Sequence, residues 1–271
     1  MNEQELIQTI KQSKKYKHLS EEIIAQKVQE FTKRNPSWQD HKDKFILKEI
    51  KALLHKAYGS FQNKELSKRE RYLEELKKEP NNKGIINKLL RTHNSTRERL
   101  EFYSALYNKI FELTNEPKGI LDLGCGLNPL SVDYMHLKNN PKYVAIDISS
   151  SDKNLINKFF HIKGIFGKAE TLDLTKIENI ASLPNADICF MFKLVDILER
   201  EKKGHKYSEE IVKILIEKCE FLVISFATQT VGGKFMNFPE RGWIERMLTR
   251  IGLKFKRLDF PNEIFYVVGK N

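Results

Sequence analysis

Cysteine is scarce in this 271-residue chain: Cys125, Cys189 and Cys219 are far apart and odd in number. That excludes a disulfide framework and a CxxC metal site, and it fits a reducing cytoplasm. Long apolar runs are missing as well. The longest, such as Ala186–Phe192, fall far short of a bilayer span. The polar start, Met1 to Lys15, has no apolar signal core, so no secretory signal is expected. The seven histidines show no ligand spacing, and no metal is expected. Internal repeats and low-complexity segments are absent, so solenoids and disordered tails are set aside.

What is abundant is positive charge. The net charge is +11, and its distribution is uneven. Residues 1–92 carry 21 Lys and Arg against 13 Asp and Glu, whereas residues 93–271 carry 26 against 23. A concentrated basic region raises the local concentration of a polyanion and speeds its encounter. The same lysines would equally serve as ordinary solvated helix faces.

The first third reads as helical. Ser20 before Glu21-Glu22-Ile23-Ile24 looks like a helix N-cap, and Ile23, Ile24, Val28 and Phe31 recur at helical spacing until Asn35-Pro36 breaks the run. A second helix is expected over 45–58 with Gly59 ending it, and a charged third over 68–78. Pro80-Asn81-Asn82-Lys83-Gly84 reads as a loop. The chain therefore divides into a basic helical domain, residues 1–84, and a second domain, residues 85–271. A further helix is expected over 97–115. From Lys118 onward, strands expected at 118–123, 143–147, 163–168, 186–192, 220–226, 254–259 and 263–269 alternate with helices near 129–138, 151–160, 194–202, 207–218 and 239–251. This is an α/β pattern of βαβ units with a mostly parallel sheet. Pro261-Asn262-Glu263 leaves no room for a crossover, so the last two strands form an antiparallel hairpin. That ending is the mark of a Class I, Rossmann-like methyltransferase.

The chemistry centres on Gly119-Ile120-Leu121-Asp122-Leu123-Gly124-Cys125-Gly126, a buried strand running into a glycine turn. Gly124 and Gly126 permit close backbone approach to a ligand at the carboxyl end of the strands. Pro129 spoils a G-x-G-x-x-G dinucleotide fingerprint, and no Gly-Lys-Ser/Thr follows to make a P-loop. D-x-G-x-G in this place fits the amino-acid moiety of S-adenosylmethionine (SAM). Asp147 ends the second strand about 20 residues later, where an acid accepts both ribose hydroxyls. Its alternative is a helix cap. Asp173, with Leu174 beside it, would take the adenine amino group and cover the ring, or else cap a local turn.

No nucleophile or general base stands out. There is no N/D-P-P-Y/F segment of the adenine-N6 type, and neither Cys189 nor Cys219 has the Pro-Cys context of a cytosine-C5 enzyme. Guanine N7 needs neither group: its exposed lone pair attacks a methyl directly once both reactants are desolvated and aligned.

Five segments carry a family resemblance. They are Ser13-Lys14-Lys15-Tyr16; His93-Asn94-Ser95-Thr96-Arg97-Glu98-Arg99-Leu100; Leu121-Asp122-Leu123-Gly124-Cys125-Gly126-Leu127-Asn128-Pro129-Leu130; Phe192-Lys193-Leu194-Val195-Asp196-Ile197-Leu198-Glu199-Arg200; and Val223-Ile224-Ser225-Phe226 with Gly232-Gly233-Lys234. In order, and over nearly the whole chain, they resemble the 16S rRNA (guanine-1405-N7) methyltransferases found in aminoglycoside producers and resistant bacteria. The resemblance implies a SAM-dependent enzyme whose helical domain grips the small ribosomal subunit, with resistance as its biological role. It implies Arg99 on the SAM carboxylate, with an exposed salt bridge to Glu98 or Glu101 as the plainer alternative. Gly124, Cys125 and Gly126 would line the methionine, and His93, Thr96, Asp122, Asn128, Ile148 and Phe192 would complete the cofactor site. Lys193 would face cofactor or target base in a positioning role.

The RNA contacts expected are Lys14, Lys15, Lys17, Lys42, Lys44, Arg97, Lys234 and Arg241. Lys48 and Lys51 belong to the same basic region. The partner is 16S rRNA within the 30S subunit, met by a cytoplasmic monomer without membrane or metal. The sequence also departs from the family. Ala227 and Asp196 replace prolines, Gln229 stands at a basic position, and Phe235-Met236-Asn237-Phe238-Pro239 replaces a glycine- and lysine-rich loop. Phe235, Phe238 and Trp243 would stack on a flipped base or pack the last helix onto the sheet. These departures keep open a different rRNA or tRNA site. The missing acid–base residue keeps open a SAM-binding RNA chaperone or assembly factor without turnover. A small-molecule methyltransferase comes third, since the basic helical region speaks against it.

Overall fold

The computed structural model describes residues 1–13, 16–17, 19–55, 67–199, 204–230, 233–234, 236 and 240–270. Three helices, α1 (Glu3–Lys11), α2 (Glu21–Arg34) and α3 (Asp43–Leu54), pack around Leu6, Ile10, Ile24, Val28, Ile46 and Ile50. The helix starts are written locally. Asn2 accepts the Glu5 N–H at 2.9 Å while Glu5 accepts the Asn2 N–H at 2.8 Å, a reciprocal capping box. Ser20 occupies the N-cap of α2, although its side chain makes no cap bond.

Helices α4 (Arg69–Lys78), α5 (Lys83–Leu90), α6 (Asn94–Arg99) and α7 (Tyr103–Thr114) lead to the sheet. Tyr72, Leu76, Ile86 and Leu89 share one apolar cluster with Tyr103, Ile120, Phe159 and Phe190, so α4 and α5 pack with the sheet, and among the described residues they share no apolar cluster with α1–α3. The helical region of residues 1–84 is thus two packing units.

The strands are β1 (Gly119–Leu123), β2 (Lys142–Asp147), β3 (Gly167–Thr171), β4 (Ala186–Phe192), β5 (Cys219–Ala227), β6 (Lys254–Phe260) and β7 (Glu263–Gly269). They form one sheet in the order β3-β2-β1-β4-β5-β7-β6. The first five are parallel, while β7 runs antiparallel to both β5 and β6. The order reverses between β1 and β4, the switch point at which open α/β sheets bind ligands. Helices α8 (Ser150–Lys163), α9 (Ile177–Ala181), α10 (Val195–Leu198), α11 (Lys206–Lys218) and α12 (Gly242–Arg250) fill the connections.

Four expectations need correction. The helix expected over 97–115 is interrupted, with α6 ending at Arg99 and α7 starting at Tyr103. The segment near 129–138 is a 3-10 helix, Asn128–Tyr134. The third strand begins at Gly167, because α8 continues to Lys163 and ends in left-handed Gly164. Lys83 and Gly84 lie in α5, capped by Asn82, whose side chain accepts the Ile85 N–H at 3.2 Å.

Candidate active site

β1 ends in a turn with Gly124 at φ 60° and Gly126 at φ 50°. Both values lie where a Cβ is strained. A Cβ on Gly124 would also stand 2.6 Å from Leu194 Cδ1, and one on Gly126 2.7 Å from His93 Nε2. The turn is therefore glycine for conformation and for space.

Beside the turn, Asp147 at the end of the neighbouring strand β2 is half-buried. It accepts the Gly126 N–H at 2.8 Å and the Ser149 N–H at 2.9 Å. Burial, then the neighbouring Asp152 carboxylate, pushes its pKa up to about 6. Ile148 beside it is partly buried against the α1–α3 cluster.

Beneath the turn, buried Asp122 accepts from Asn128 Nδ2 at 2.9 Å and from Tyr143 OH at 2.7 Å through Oδ2. Its Oδ1 is buried with no partner among the described residues. Burial raises its pKa to about 6, against the opposing pull of those two hydrogen bonds. Asn128 also accepts from Tyr103 OH at 3.0 Å, so it braces the turn from behind. Cys125 is buried, and burial pushes its thiol well up, leaving it inert as a nucleophile.

Arg99 is 2% exposed and Glu263, the first residue of β7, 0%. Arg99 Nε and Nη2 donate to Glu263 at 2.9 and 2.8 Å. This replaces the exposed pairing with Glu98 or Glu101. The guanidinium lies 4.8 Å over the buried Phe192 ring. Lys193 Nζ sits 2.7 Å from Glu98 Oε2 and 3.3 Å from Glu263 Oε2. Its backbone is left-handed, φ 55°, and its N–H donates to Ser225 Oγ at 2.9 Å. Ser225 Oγ also donates to Glu263. Burial alone would raise the Glu263 pKa, but Arg99 and Lys193 outweigh it and hold it low. At the C-terminal edge of β4 and β5 the protein thus builds a two-cation, two-carboxylate cluster.

Other expected residues have local partners. Thr96 donates to the Leu90 carbonyl and to the His93 carbonyl at 3.1 Å, which is a structural use. His93 is buried, and that burial lowers its pKa to about 4, keeping it neutral. Asp173 Oδ1 accepts from Thr175 N and Oγ1 at 2.9 and 2.6 Å, a tight local turn, with Leu174 buried beside it.

Among the basic residues, Lys17, Lys42, Lys44, Arg97 and Lys234 are exposed. Lys14, Lys15, Phe235 and Phe238 lie outside the described residues. Arg241 is different: it pairs with Asp196 at 3.0 Å and its guanidinium lies 5.6 Å over Phe226. Asp196 is one of the departures from the family pattern, and Arg241 closely follows another, residues 235–239. Trp243 stacks on His205 at 3.8 Å and meets Phe226 edge-on, so it packs α12 onto the sheet. Among the described residues no His, Cys, Asp and Glu group could hold a metal, and no helix is long and apolar enough to cross a membrane.

Glu263 and Ser225 were not anticipated as site residues. Glu263 had a signal: it is the one acid opening an otherwise apolar strand, Glu263–Gly269. Arg69 and Asp152, a buried ion pair between α4 and α8, had none, since 83 residues separate them.

The model of the ribosomal RNA methyltransferase (FmrO) family matches residues 12–267. A 16S rRNA (guanine(1405)-N(7))-methyltransferase of Proteus mirabilis is 30% identical over 250 residues, covering 84% of this chain and 85% of the relative. One from Frankia casuarinae is 28% identical over 191 residues, and the match spans 69% of this chain and 64% of that relative's length. The fold is that of the solved 16S rRNA methyltransferase RmtF in complex with S-adenosyl-L-homocysteine, with a TM-score of 0.80, 23% identity and 100% of each chain covered.

Proposed function

The chain belongs to the ribosomal RNA methyltransferase (FmrO) family, and from that premise we propose that it transfers the methyl group of SAM to N7 of guanine-1405 of 16S rRNA, as the name of its Proteus mirabilis relative states for that enzyme. What carries the site reading is the joint end of β1 and β2. There a glycine turn without room for side chains faces a carboxylate, Asp147, and covers a buried carboxylate oxygen of Asp122 that has no protein partner among the described residues. These features fit an amino-acid and ribose ligand.

In this reading Gly124, Cys125 and Gly126 line the methionine, Asp122 meets its ammonium, and Asp147 takes the ribose. Ile148, Leu174 and Phe192 cover apolar faces, and His93 and Asn128 back the turn. Asp173 takes the adenine edge through the carboxylate oxygen turned away from Thr175. Arg99 holds the carboxylate end, with Glu263 fixing the plane of its guanidinium; two of its five N–H donors already serve that bond. SAM supplies an electrophilic methyl group that the guanine lone pair can attack without a base. The residues accordingly do positional work: they desolvate, align and hold charge. Lys193, held by Glu98 and Glu263, stands at the edge of β4 where cofactor and base would meet.

The basic helices α1–α3, with Lys17, Lys42 and Lys44, would face phosphates of the 30S subunit, together with Arg97 and Lys234. The division between docking and methyltransferase regions falls best between α3 and α4, because α4 shares the core of the sheet. A cytoplasmic monomer fits a substrate as wide as a ribosomal subunit. Aminoglycoside resistance would follow from the modification.

The test is transfer of labelled methyl from SAM to purified 30S subunits, naked 16S rRNA and tRNA, with aniline cleavage and primer extension to map the site. Cleavage at the decoding-site guanine, with resistance in cells expressing the protein, is the expected result. Label in another nucleotide would move the substrate assignment to the departures around Asp196 and Arg241. SAM binding without transfer would leave a non-catalytic RNA-binding factor.

A further inference from the structure

A buried ion pair lies outside the residues assigned above. Arg69, at the start of α4, and Asp152, in the first turn of α8, bond through Arg69 Nη1 and Asp152 Oδ1. Both are nearly inaccessible, at 5% and 3%. Arg69 Nε also donates to Thr92 Oγ1 at 2.8 Å, the residue before His93, which in turn faces Gly126. Asp152 is bound to the turn that carries Asp147: its N–H donates to Ser149 Oγ at 3.2 Å, and Ser149 N–H donates to Asp147 at 2.9 Å.

One guanidinium therefore ties together two segments that meet at the ribose end of the site: residues 92–93 behind the glycine turn, and residues 147–152 carrying the ribose acid. Among the described residues, these titratable groups lie about Asp147. Asp122 and Cys125 approach from β1 and its turn, neutral His93 from the segment before α6, Asp152 from α8, and Arg69 behind Asp152 from α4. Asp152 is a like charge beside Asp147, and a like charge disfavours ionisation. Arg69 is the cation that offsets it. α4 and α8 already share an apolar cluster, Tyr72, Leu73 and Leu76 with Leu155 and Phe159, to which the ion pair adds a polar link toward the Asp147 turn.

We propose that Arg69 is a positioning residue for the cofactor's ribose, acting through Asp152 and Thr92 to keep Asp147 an ionised acceptor in register with the glycine turn. This rests on Asp147 being the ribose acid. As a carboxylate Asp147 accepts from both hydroxyls while still holding the Gly126 and Ser149 amides; as a carboxylic acid it loses acceptor capacity.

The experiment is calorimetric titration of the full-length protein with S-adenosylhomocysteine between pH 5.5 and 8, on the wild type, Arg69→Gln, Arg69→Lys, Asp152→Asn and Asp147→Asn. Wild-type affinity is expected to fall as pH drops through the Asp147 titration. Arg69→Gln moves that fall upward by about one pH unit, so that near pH 6 affinity is about fivefold below wild type while at pH 8 the two converge. Arg69→Lys restores most of the difference. Asp152→Asn keeps an acceptor for the guanidinium and moves the fall downward, which holds the proposal to account if Arg69→Gln does not fold. Asp147→Asn binds weakly and keeps only the pH dependence that Asp122 contributes. Variants that differ in melting temperature but share the wild-type pH profile would overturn the proposal and leave Arg69 a fastener. A normal affinity and profile in Asp147→Asn would instead remove Asp147 from the ribose, and the failure would belong to the site reading.

Discussion

Glu263 holds Arg99 through two hydrogen bonds of 2.9 and 2.8 Å across 164 residues of sequence. The pair joins the end of α6 to the start of β7, and Lys193 from the end of β4 leans on the same carboxylate. Three segments at the C-terminal edge of the sheet are thus fixed by one acid.

Glu263→Ala should therefore be among the most damaging single changes. It leaves two buried or half-buried cations without their counter-charge, a loss on the order of 3–5 kcal/mol. The native carboxyl is held below its ordinary pKa. Its contribution is present at neutral pH and is lost as pH falls through that lowered value. Urea denaturation at pH 7 should show the full deficit, and it should narrow toward strong acid. An equal deficit at all pH values would mean that packing, and not charge, is lost.

Asp122 has the opposite sign. Its folded pKa is raised to about 6, so its stabilising contribution is complete at low pH and disappears as pH rises through 6. Ionising it inside the fold costs at most about 3 kcal/mol at pH 8 relative to pH 4, from a shift of about two units. Asp122→Asn keeps an acceptor for Asn128 and Tyr143 and cannot ionise. Its stability between pH 5 and 8 should be flatter than that of the wild type. Parallel curves for the two proteins would exclude Asp122 as a titrating group.

The glycine turn was readable in the sequence, whereas the long-range ion pairs were hidden from it. β1, its glycine turn and Asp147 follow one another within 29 residues, and both apolar patterning and glycine placement are local signals. The strand expected at 163–168 starts too early because Ile165 and Phe166 resemble strand residues, whereas the edge strand itself, Gly167–Thr171, buries only its middle residue well. Glu263 with Arg99, and Arg69 with Asp152, depend on which distant segments the topology brings together. No spacing rule reaches across 164 or 83 residues.

Gly126→Ala tests the turn itself. A methyl group at φ 50° would meet the His93 ring at 2.7 Å. S-adenosylhomocysteine binding should fall at least tenfold, with about 1–3 kcal/mol of lost stability. His93→Ala opens the space but not the dihedral angle, so the double variant should recover part of the stability and little of the binding. Full recovery of both would show that contact, and not backbone conformation, demands glycine here.

Lys42 and Lys44 are exposed at the start of α3, whereas Arg241 is already paired with Asp196. Free surface cations contribute to RNA affinity by releasing counterions, so their loss lowers affinity and flattens its salt dependence together. A cation that must leave an intramolecular partner gains less. Lys42→Glu with Lys44→Glu should therefore weaken binding to 30S subunits and reduce the slope of log affinity against log salt by about two. Arg241→Ala should change that slope by less than one and show its effect in methyl-transfer rate, because its bond to Asp196 joins the segments after β4 and before α12. An unchanged slope in the lysine variant would place the ribosome on another face of the protein.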